Sequence, residues 1–238
     1  MHQDERAQAA LTLLREGELE IKGRMPWSSN GTYLVGVTCG ADTGLAVYKP
    51  GRGERPLWDF PRGLYRREAA AWVLSEQLGW GLVPETIVRD GPLGEGSVQR
   101  FVEADFEQHY FTLLEDESTH DTFRAMAAFD IVANNTDRKS GHCLRAPADG
   151  RIYGIDNGLC FHPDPKVRTV IWEVGGEPIA PALLDDLRRL PSALPGDLAP
   201  LLDQEELDGV ASRAERLVRR GELPQADPSG RCYPWPLV

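Results

Sequence analysis

Hydrophobic and polar positions change their spacing along the first fifty residues. Residues 4–16 carry leucines at a helical step, so we expect a short amphipathic helix there. The chain then alternates in the two-residue period of β-strands as far as residue 49. Three strands are predicted in this region, at 19–21, 33–37 and 45–48. The sequence Asp42-Thr43-Gly44 offers hairpin-turn chemistry between the last two strands.

The next fifty residues predict one strong helix and two further strands. Residues 64–78 place apolar side chains on one helical face, and Gly79 follows the end of this helix. Strands are predicted at 86–88 and 97–102, around a turn at Asp90-Gly91-Pro92.

The second half of the sequence is mainly helical. Apolar residues recur at steps of three and four over residues 119–134, and a short hairpin is predicted within residues 143–155. Two helices follow at 182–190 and 204–220, before a proline-rich tail. The pattern predicts an α+β fold of two lobes, a small β-rich N-terminal lobe (residues 1–102) and a mainly helical C-terminal lobe (residues 103–238).

Composition places the chain among ordinary globular proteins. It has 238 residues, 41% hydrophobic and 26% charged, and no apolar run long enough for a transmembrane helix. The first residues are polar, so we expect no secretory signal and no integral membrane association. The four cysteines form no CxxC pair, which favours a reducing cytoplasm.

The charge of the chain is strongly asymmetric. The net charge is −11, and residues 101–238 contribute −10 of it. Such an acidic body disfavours nucleic acid and anionic lipid as principal partners. The exception is the segment 49–67, in which six basic residues outnumber two acidic ones. A run of this kind is commonly a solvated loop, but it would suit phosphate groups if it lined a cleft.

Two segments of the N-terminal part have the chemistry to bind phosphate. The polar turn 28–32 consists of Ser28, Ser29, Asn30, Gly31 and Thr32, whose backbone N–H and hydroxyl groups suit phosphate oxygens. A plain hairpin turn is the alternative for this segment.

Lys49 ends an apolar strand, where an ammonium is costly to bury unless an anion pairs with it. Glu68 in the following helix is one candidate partner, and a bound phosphate is the other.

Two acidic segments follow in the C-terminal part. Residues 134–139 read Asn-Asn-Thr-Asp-Arg-Lys directly after a buried helix, so Asp137 is a candidate to orient a hydroxyl group. Residues 153–158 read Tyr-Gly-Ile-Asp-Asn-Gly and place Asp156 in a glycine turn. Asp137 and Asp156 lie at the two ends of the predicted hairpin, so both carboxylates can converge on one metal ion.

Taken in this order, the four segments resemble the atypical kinases of the phosphatidylinositol 3/4-kinase superfamily. They are most similar to the type II phosphatidylinositol 4-kinases and more distantly similar to HipA-like kinases. The resemblance spans about residues 28–161 and implies a two-lobed, protein-kinase-like fold that binds ATP with Mg²⁺ or Mn²⁺.

The resemblance also implies a role for each segment. The turn 28–32 would cover the ATP phosphates, and Lys49 would bind the α- and β-phosphates with Glu68 holding it. The loop with Asp137 and Arg138 would be catalytic, and Asp156 would bind the metal ion.

Two further site predictions come from the same resemblance. Gln99 and Phe101 would lie where a kinase hinge accepts the adenine ring through backbone groups. The family usually has an asparagine five residues after the catalytic aspartate, whereas this chain has His142. Imidazole favours softer ions than Mg²⁺, so His142 indicates a preference for Mn²⁺, a single-metal site or a damaged kinase. Asn134, Asn135 or Asn157 are alternative ligands.

The function predicted from the sequence is transfer of the ATP γ-phosphate to a hydroxyl acceptor. The acceptor can be a protein, a small molecule or a lipid, and no oligomeric state is predicted. The alternatives are a nucleotide-binding pseudokinase that acts as a scaffold, and transfer of AMP on the same fold. A zinc site built from His142, Cys143, Cys160 and His162 is a rival metal interpretation.

Overall fold

The chain folds into a β-rich first part and a mainly helical second part. The structure is a computed structural model that describes residues 3–26, 30–194 and 196–238. The strands are β1 (Glu18–Arg24), β2 (Tyr33–Cys39), β3 (Asp42–Pro50), β4 (Thr86–Gly91), β5 (Gly94–Arg100), β6 (Cys143–Arg145) and β7 (Ile152–Gly154). The helices are α1 (Gln3–Glu16), α2 (Leu64–Gln77), α3 (Tyr110–Leu113), α4 (His120–Ala133), α5 (Pro181–Ala193) and α6 (Gln204–Arg220).

Strands β1 to β5 form one antiparallel sheet in the order β1-β2-β3-β5-β4. Strand β3 is therefore central, and Lys49 near its end pairs with Ser97 of β5. Helix α1 packs on this sheet through Leu14, which shares a small core with Val35 and Val37. Burial on a central strand fixes the direction in which the Lys49 side chain leaves the sheet.

Both predicted hairpin turns lie one or two residues away from their predicted positions. Cys39 pairs directly with Asp42, so the first turn is Gly40-Ala41 and the expected turn residues 42–44 already belong to β3. Gly40 takes a left-handed φ of 61°, which glycine adopts without steric cost. The second turn is Pro92-Leu93, because β4 continues to Gly91.

The larger core joins helix α2 to the helical second part. Ala70, Ala71 and Leu74 of α2 belong to the same buried cluster as Phe123 and Phe129 of α4. Helix α2 therefore connects the sheet to the second part of the chain, because buried side chains of α2 belong to the core of that second part. The boundary at residue 102 stays a prediction. None of the described helices is long and apolar enough to cross a membrane.

The proline-rich tail lies against the segment that follows the hairpin. The N–H of Thr169 donates to the carbonyl of Cys232 over 3.0 Å, and the N–H of Ser140 donates to that of Leu237 over 2.8 Å. The tail thus packs close to the loop that carries Asp137.

A buried ion pair ties α2 to the last helix. The guanidinium of Arg67 pairs with the carboxylate of Glu206 near the start of α6, and both side chains are almost fully buried. Glu206 also accepts the N–H of Asp203 at 2.9 Å in a capping box. Because Arg67 directly precedes Glu68 in α2, this contact fixes the turn of helix that carries Glu68.

We predict that Glu206→Ala lowers the free energy of unfolding by about 3–5 kcal/mol, because it leaves the buried Arg67 charge without its partner. Chemical denaturation measures this change. The neighbouring exposed Glu205→Ala is the control and should change stability by less than about 0.5 kcal/mol. Equal effects of the two variants would contradict the assigned role of the ion pair.

Candidate active site

One ammonium group joins three distant segments of the chain. Lys49 Nζ contacts Glu68 Oε1 of α2 and lies 2.7 Å from Asp156 Oδ1, in the turn after β7. Glu68 is buried, whereas the Asp156 side chain is 52% exposed. The cluster is therefore shielded from solvent at Glu68 and open to solvent at the carboxylate of Asp156.

Local backbone features place each member of this cluster. Gly63, with a φ of 93°, precedes α2 and allows the chain to turn into the helix that carries Glu68. The second oxygen of Glu68 accepts the N–H of Asn157 at 2.9 Å, which anchors the segment after β7. Asp156 itself has a left-handed φ of 57°, an uncommon conformation that is found mostly where the surroundings hold it.

The ion pairs favour the charged forms of Lys49 and Asp156, whereas burial raises the pKa of Glu68. Burial opposes the charged form of Lys49, but Asp156 and Glu68 outweigh it and raise the pKa of the lysine. The Lys49 ammonium in turn holds the pKa of Asp156 well below its ordinary value, against the partial desolvation of this half-exposed side chain. At neutral pH the site therefore presents an ammonium beside an ionised, partly exposed carboxylate.

Asp137 lies in the loop after α4 and is oriented by its neighbours. Its N–H donates to Asn135 Oδ1 at 3.0 Å, and its Oδ2 lies 3.0 Å from Lys139 Nζ. Burial raises the pKa of Asp137, Lys139 opposes this rise, and the Asp156 carboxylate adds to it. The carboxylate of Asp156 is thus near enough to raise the pKa of Asp137, while the convergence of both carboxylates on one metal ion stays a prediction.

Arg138 does not face the Lys49 cluster. Its side chain is fully buried and forms several hydrogen bonds with the carboxylate of Asp130 in α4. It also donates to the carbonyl of Ile155 and to Asn157 Oδ1, each at 2.7 Å. The sequence grouped Arg138 with the catalytic residues, but these contacts give it a positioning role, because they hold the segments around Asp137 and Asp156 together.

His142 lies beside Asp156, with its Nε2 3.4 Å from Asp156 Oδ2. Burial lowers the pKa of His142 to about 4, so the imidazole is neutral at pH 7 and can act as a ligand. The three asparagines predicted as alternatives are occupied by other contacts. Asn134 binds the carbonyls of His162 and Asp164, and Asn135 binds Asp130 and Asp137.

Asn157 is occupied in the same way, since it accepts from Arg138 and donates to the carbonyl of Gly154. All three asparagine side chains are buried. His142 is therefore the sequence-predicted second ligand that the fold leaves next to Asp156.

The rival zinc site is not formed. Cys143 and Cys160 are fully buried, and Cys143 Sγ contacts Met126 Sδ at 3.6 Å. Within residues 3–26, 30–194 and 196–238, no cluster of three or more His, Cys, Asp or Glu is arranged to hold a metal ion. A divalent ion at Asp156 and His142 would therefore have to take its remaining ligands from a substrate or from water.

The predicted phosphate turn is described only in part, because Ser28 and Ser29 lie outside the described residues. Asn30 Oδ1 accepts the N–H of Arg55, and the N–H of Gly31 donates to the carbonyl of Gly53, each at 3.0 Å. Thr32 is buried. The turn is thus bound to the arginine-rich loop that follows β3.

The predicted hinge residues are used within the fold. The side-chain amide of Gln99 is buried and donates to Thr86 Oγ1 at 2.8 Å. The N–H of Phe101 donates to the carbonyl of Leu45 at 3.0 Å. The backbone N–H of Phe101 is therefore engaged within the fold, and binding of an adenine ring by other backbone groups of this segment stays a prediction.

Two residues of the site escaped the sequence analysis. Asp130 is an acid among the apolar residues of the second half of helix α4, and such a residue usually signals a buried charge pair. Lys139 follows Asp137 by two residues and supplies the ammonium beside it. The spacing of Asp137 and Lys139 could have indicated this pair, because a charged side chain two residues away in an irregular loop can reach back.

Comparison with known proteins assigns the chain to a family. No protein-family profile matches the chain. It is 39% identical to Protein Rv2133c of Mycobacterium tuberculosis, over 94% of both chains. The chain belongs to the same family as that protein.

Solved structures show the class of fold. The Golgi casein kinase with Mn and ADP bound is similar with a TM-score of 0.59 and 15% identity, over 100% of this chain and 81% of that one. The Helicobacter pylori proinflammatory kinase CtkA is similar with a TM-score of 0.52 and 14% identity, over 91% and 95%. The predicted α+β, kinase-like fold is therefore confirmed.

We predict that Asp130→Ala lowers the free energy of unfolding by about 3–5 kcal/mol, because it leaves the Arg138 guanidinium buried and unpaired. Chemical denaturation tests this prediction. The control is Asp121→Ala, an almost fully exposed acid of the same helix, which should cost less than about 1 kcal/mol. A cost below 1 kcal/mol for Asp130→Ala would contradict the buried network.

Proposed function

We propose that this protein is an ATP- and divalent-metal-dependent phosphotransferase that acts on a hydroxyl acceptor. The observation that carries the proposal is the position of Lys49, whose ammonium bridges Glu68 and Asp156. A strand lysine held by a helix glutamate is the arrangement by which kinases bind the phosphates of ATP. The likeness to kinase structures, one of which has Mn and ADP bound, supports this interpretation.

The residues present fit a divalent cation. Asp156 has a partly exposed, ionised carboxylate, and neutral His142 lies beside it. A magnesium-class ion in such enzymes commonly uses one or two protein ligands and completes its shell with phosphate oxygens and water. When bound, the ion would neutralise charge on the transferred phosphoryl group.

Asp137 is the candidate general base. Its raised pKa suits a carboxylate that accepts a proton from the acceptor hydroxyl, and the side chain remains 26% exposed. The acceptor oxygen would bond to the γ-phosphorus while the bond to the β-phosphate oxygen breaks, and the hydroxyl proton would pass to Asp137. Lys139 holds this carboxylate in place, and Lys49 binds the nucleotide phosphates.

The proposed class of acceptor rests on the net charge of the C-terminal part rather than on the family resemblance. The resemblance to phosphatidylinositol kinases suggests a lipid, but the −10 charge of residues 101–238 disfavours an anionic membrane surface. We therefore favour a protein or small-molecule acceptor in the cytoplasm. The second candidate function is a nucleotide-binding pseudokinase, which His142 at the usual asparagine position favours.

We predict that Asp137→Asn retains ATP binding and lowers turnover by about 100- to 10,000-fold, because a carboxamide cannot accept the hydroxyl proton. Release of labelled phosphate from γ-labelled ATP, with calorimetry for binding, measures both effects. Wild-type turnover that survives unchanged in this variant would refute the role of Asp137. ATP binding without wild-type turnover in Mg²⁺ or Mn²⁺ would support the pseudokinase.

We predict that Asp156→Asn loses the metal dependence of nucleotide binding, because the variant lacks the ionised ligand. Asparagine tolerates the left-handed backbone that this position requires, so the fold is retained. Calorimetric titration of ADP with and without Mn²⁺ tests this prediction. Asp164→Asn, an exposed acid of the following segment, is the control and should behave like the wild type.

We predict that His142→Asn shifts the metal preference of ATP turnover from Mn²⁺ towards Mg²⁺, because an amide oxygen is the harder ligand. The ratio of the two turnover rates in wild type and variant is the measurement. An unchanged ratio would exclude His142 from the metal site.

A further inference from the structure

A second concave site lies beside the Lys49 cluster, in the loop between β3 and α2. This cavity has a volume of about 440 Å³ and is lined by residues between Gly51 and Leu64. Its size falls within the range of small-ligand pockets. None of Lys49, Glu68, Asp137 and Asp156 lines it.

The cavity is basic. Arg52, Arg55 and Arg62 line it, and all three side chains are exposed. None of their guanidinium groups forms an ion pair or hydrogen bond with a residue that the structure describes. They are thus unlike Arg66 and Arg67, which pair with Glu95 and Glu206.

The one acidic residue of the lining, Glu54, forms no ion pair with these arginines, so three positive charges outnumber one negative charge. The carboxylate of Glu54 accepts the N–H groups of Gly63 and Tyr65 at 2.9 and 2.7 Å, at the start of α2. Glu54 is therefore committed to the helix N-terminus. Three guanidinium groups that have no partner among the described residues form a local positive site in a chain of net charge −11.

The loop that lines the cavity contacts two segments of the candidate active site. Gly53, next to Arg52, accepts the N–H of Gly31 in the predicted phosphate turn. Phe60 of the lining packs edge-on against His162, with ring centroids 5.2 Å apart, and Asp59 lies 3.5 Å from Lys166 Nζ. The loop therefore lies against the segment that follows Asp156.

We propose that this arginine-lined cavity is a second anion site, which binds a phosphate-class group of the acceptor rather than the nucleotide. Guanidinium groups match the oxygens of a phosphate monoester by paired hydrogen bonds. The apolar lining of Pro56, Leu57 and Phe60 suits the remainder of a small organic molecule. The assignment to the acceptor rests on the proposed function, whereas anion binding does not.

Calorimetric titration with phenyl phosphate at fixed ionic strength tests the proposal. We expect the wild type to bind it, both alone and when saturated with ADP and Mg²⁺. The combined variant Arg52→Gln, Arg55→Gln, Arg62→Gln should bind it at least about tenfold more weakly, because charge-assisted hydrogen bonds are lost. It should keep its affinity for ADP. Benzyl alcohol, which lacks the charge, should not bind.

The matched control replaces three exposed arginines of α6, Arg216, Arg219 and Arg220, by glutamine. This control variant removes the same charge from helix α6, outside the lining of the cavity, and should bind phenyl phosphate as the wild type does. Equal binding by the two combined variants, or no binding by the wild type, would overturn the proposal. Displacement of phenyl phosphate by ADP would overturn it as well, because the arginines would then belong to the nucleotide site. Failure of the wild type to bind ADP would instead refute the proposed function and leave the anion result standing.

Discussion

The ammonium of Lys49 is the constraint on which the site depends. It brings together a strand, a helix and a turn that are separated by up to 107 residues in sequence. The buried carboxylate of Glu68 is costly unless it is paired, so loss of the Lys49 ammonium would leave it uncompensated. The central position of β3, the anchoring of α2 and the left-handed backbone of Asp156 all hold the three groups in contact.

A second network of side chains, which is fully buried, stabilises the backbone that carries the Lys49 cluster. Asp130 and Arg138 form its centre, and Thr169 donates to Asp130 at 3.0 Å. Through Arg138 the network binds the carbonyl of Ile155 and the side chain of Asn157, on either side of Asp156. The carboxylates of Asp137 and Asp156 thus stay partly exposed to solvent, while fully buried partners fix the backbone around them.

Sequence reasoning predicted the elements with strong periodicity. Helix α6 begins and ends at the predicted residues, and α2 and α4 differ by a single residue at their ends. The hairpin turns were misplaced because several adjacent residues have turn chemistry, and only the pairing of Cys39 with Asp42 decides which ones turn. The sequence indicated Glu68 as a partner of Lys49, because each residue stands in a distinctive short segment, whereas it indicated Asp156 only as a metal ligand.

The directions of side chains and the pairing of residues far apart in sequence could not be predicted from the sequence. Arg138 follows Asp137 in sequence, yet it points into the core, and nothing in the local pattern distinguishes the two directions. Arg67 and Glu206 are 139 residues apart, so no local spacing indicates their ion pair. The arginines of the segment 49–67 were visible as a basic run, but only the fold separates Arg66 and Arg67, which are paired, from the three that line the cavity.

Calorimetric titration of ATP with Mn²⁺ into the wild type and Lys49→Met tests the central claim most directly. Lys22→Met, which alters an exposed strand lysine paired with Glu20, is the matched control. The Lys49 cluster predicts metal-dependent ATP binding by the wild type and the control, and loss of binding in Lys49→Met. Unchanged binding in Lys49→Met, or no binding by the wild type, would contradict the assignment of this cluster as a nucleotide site.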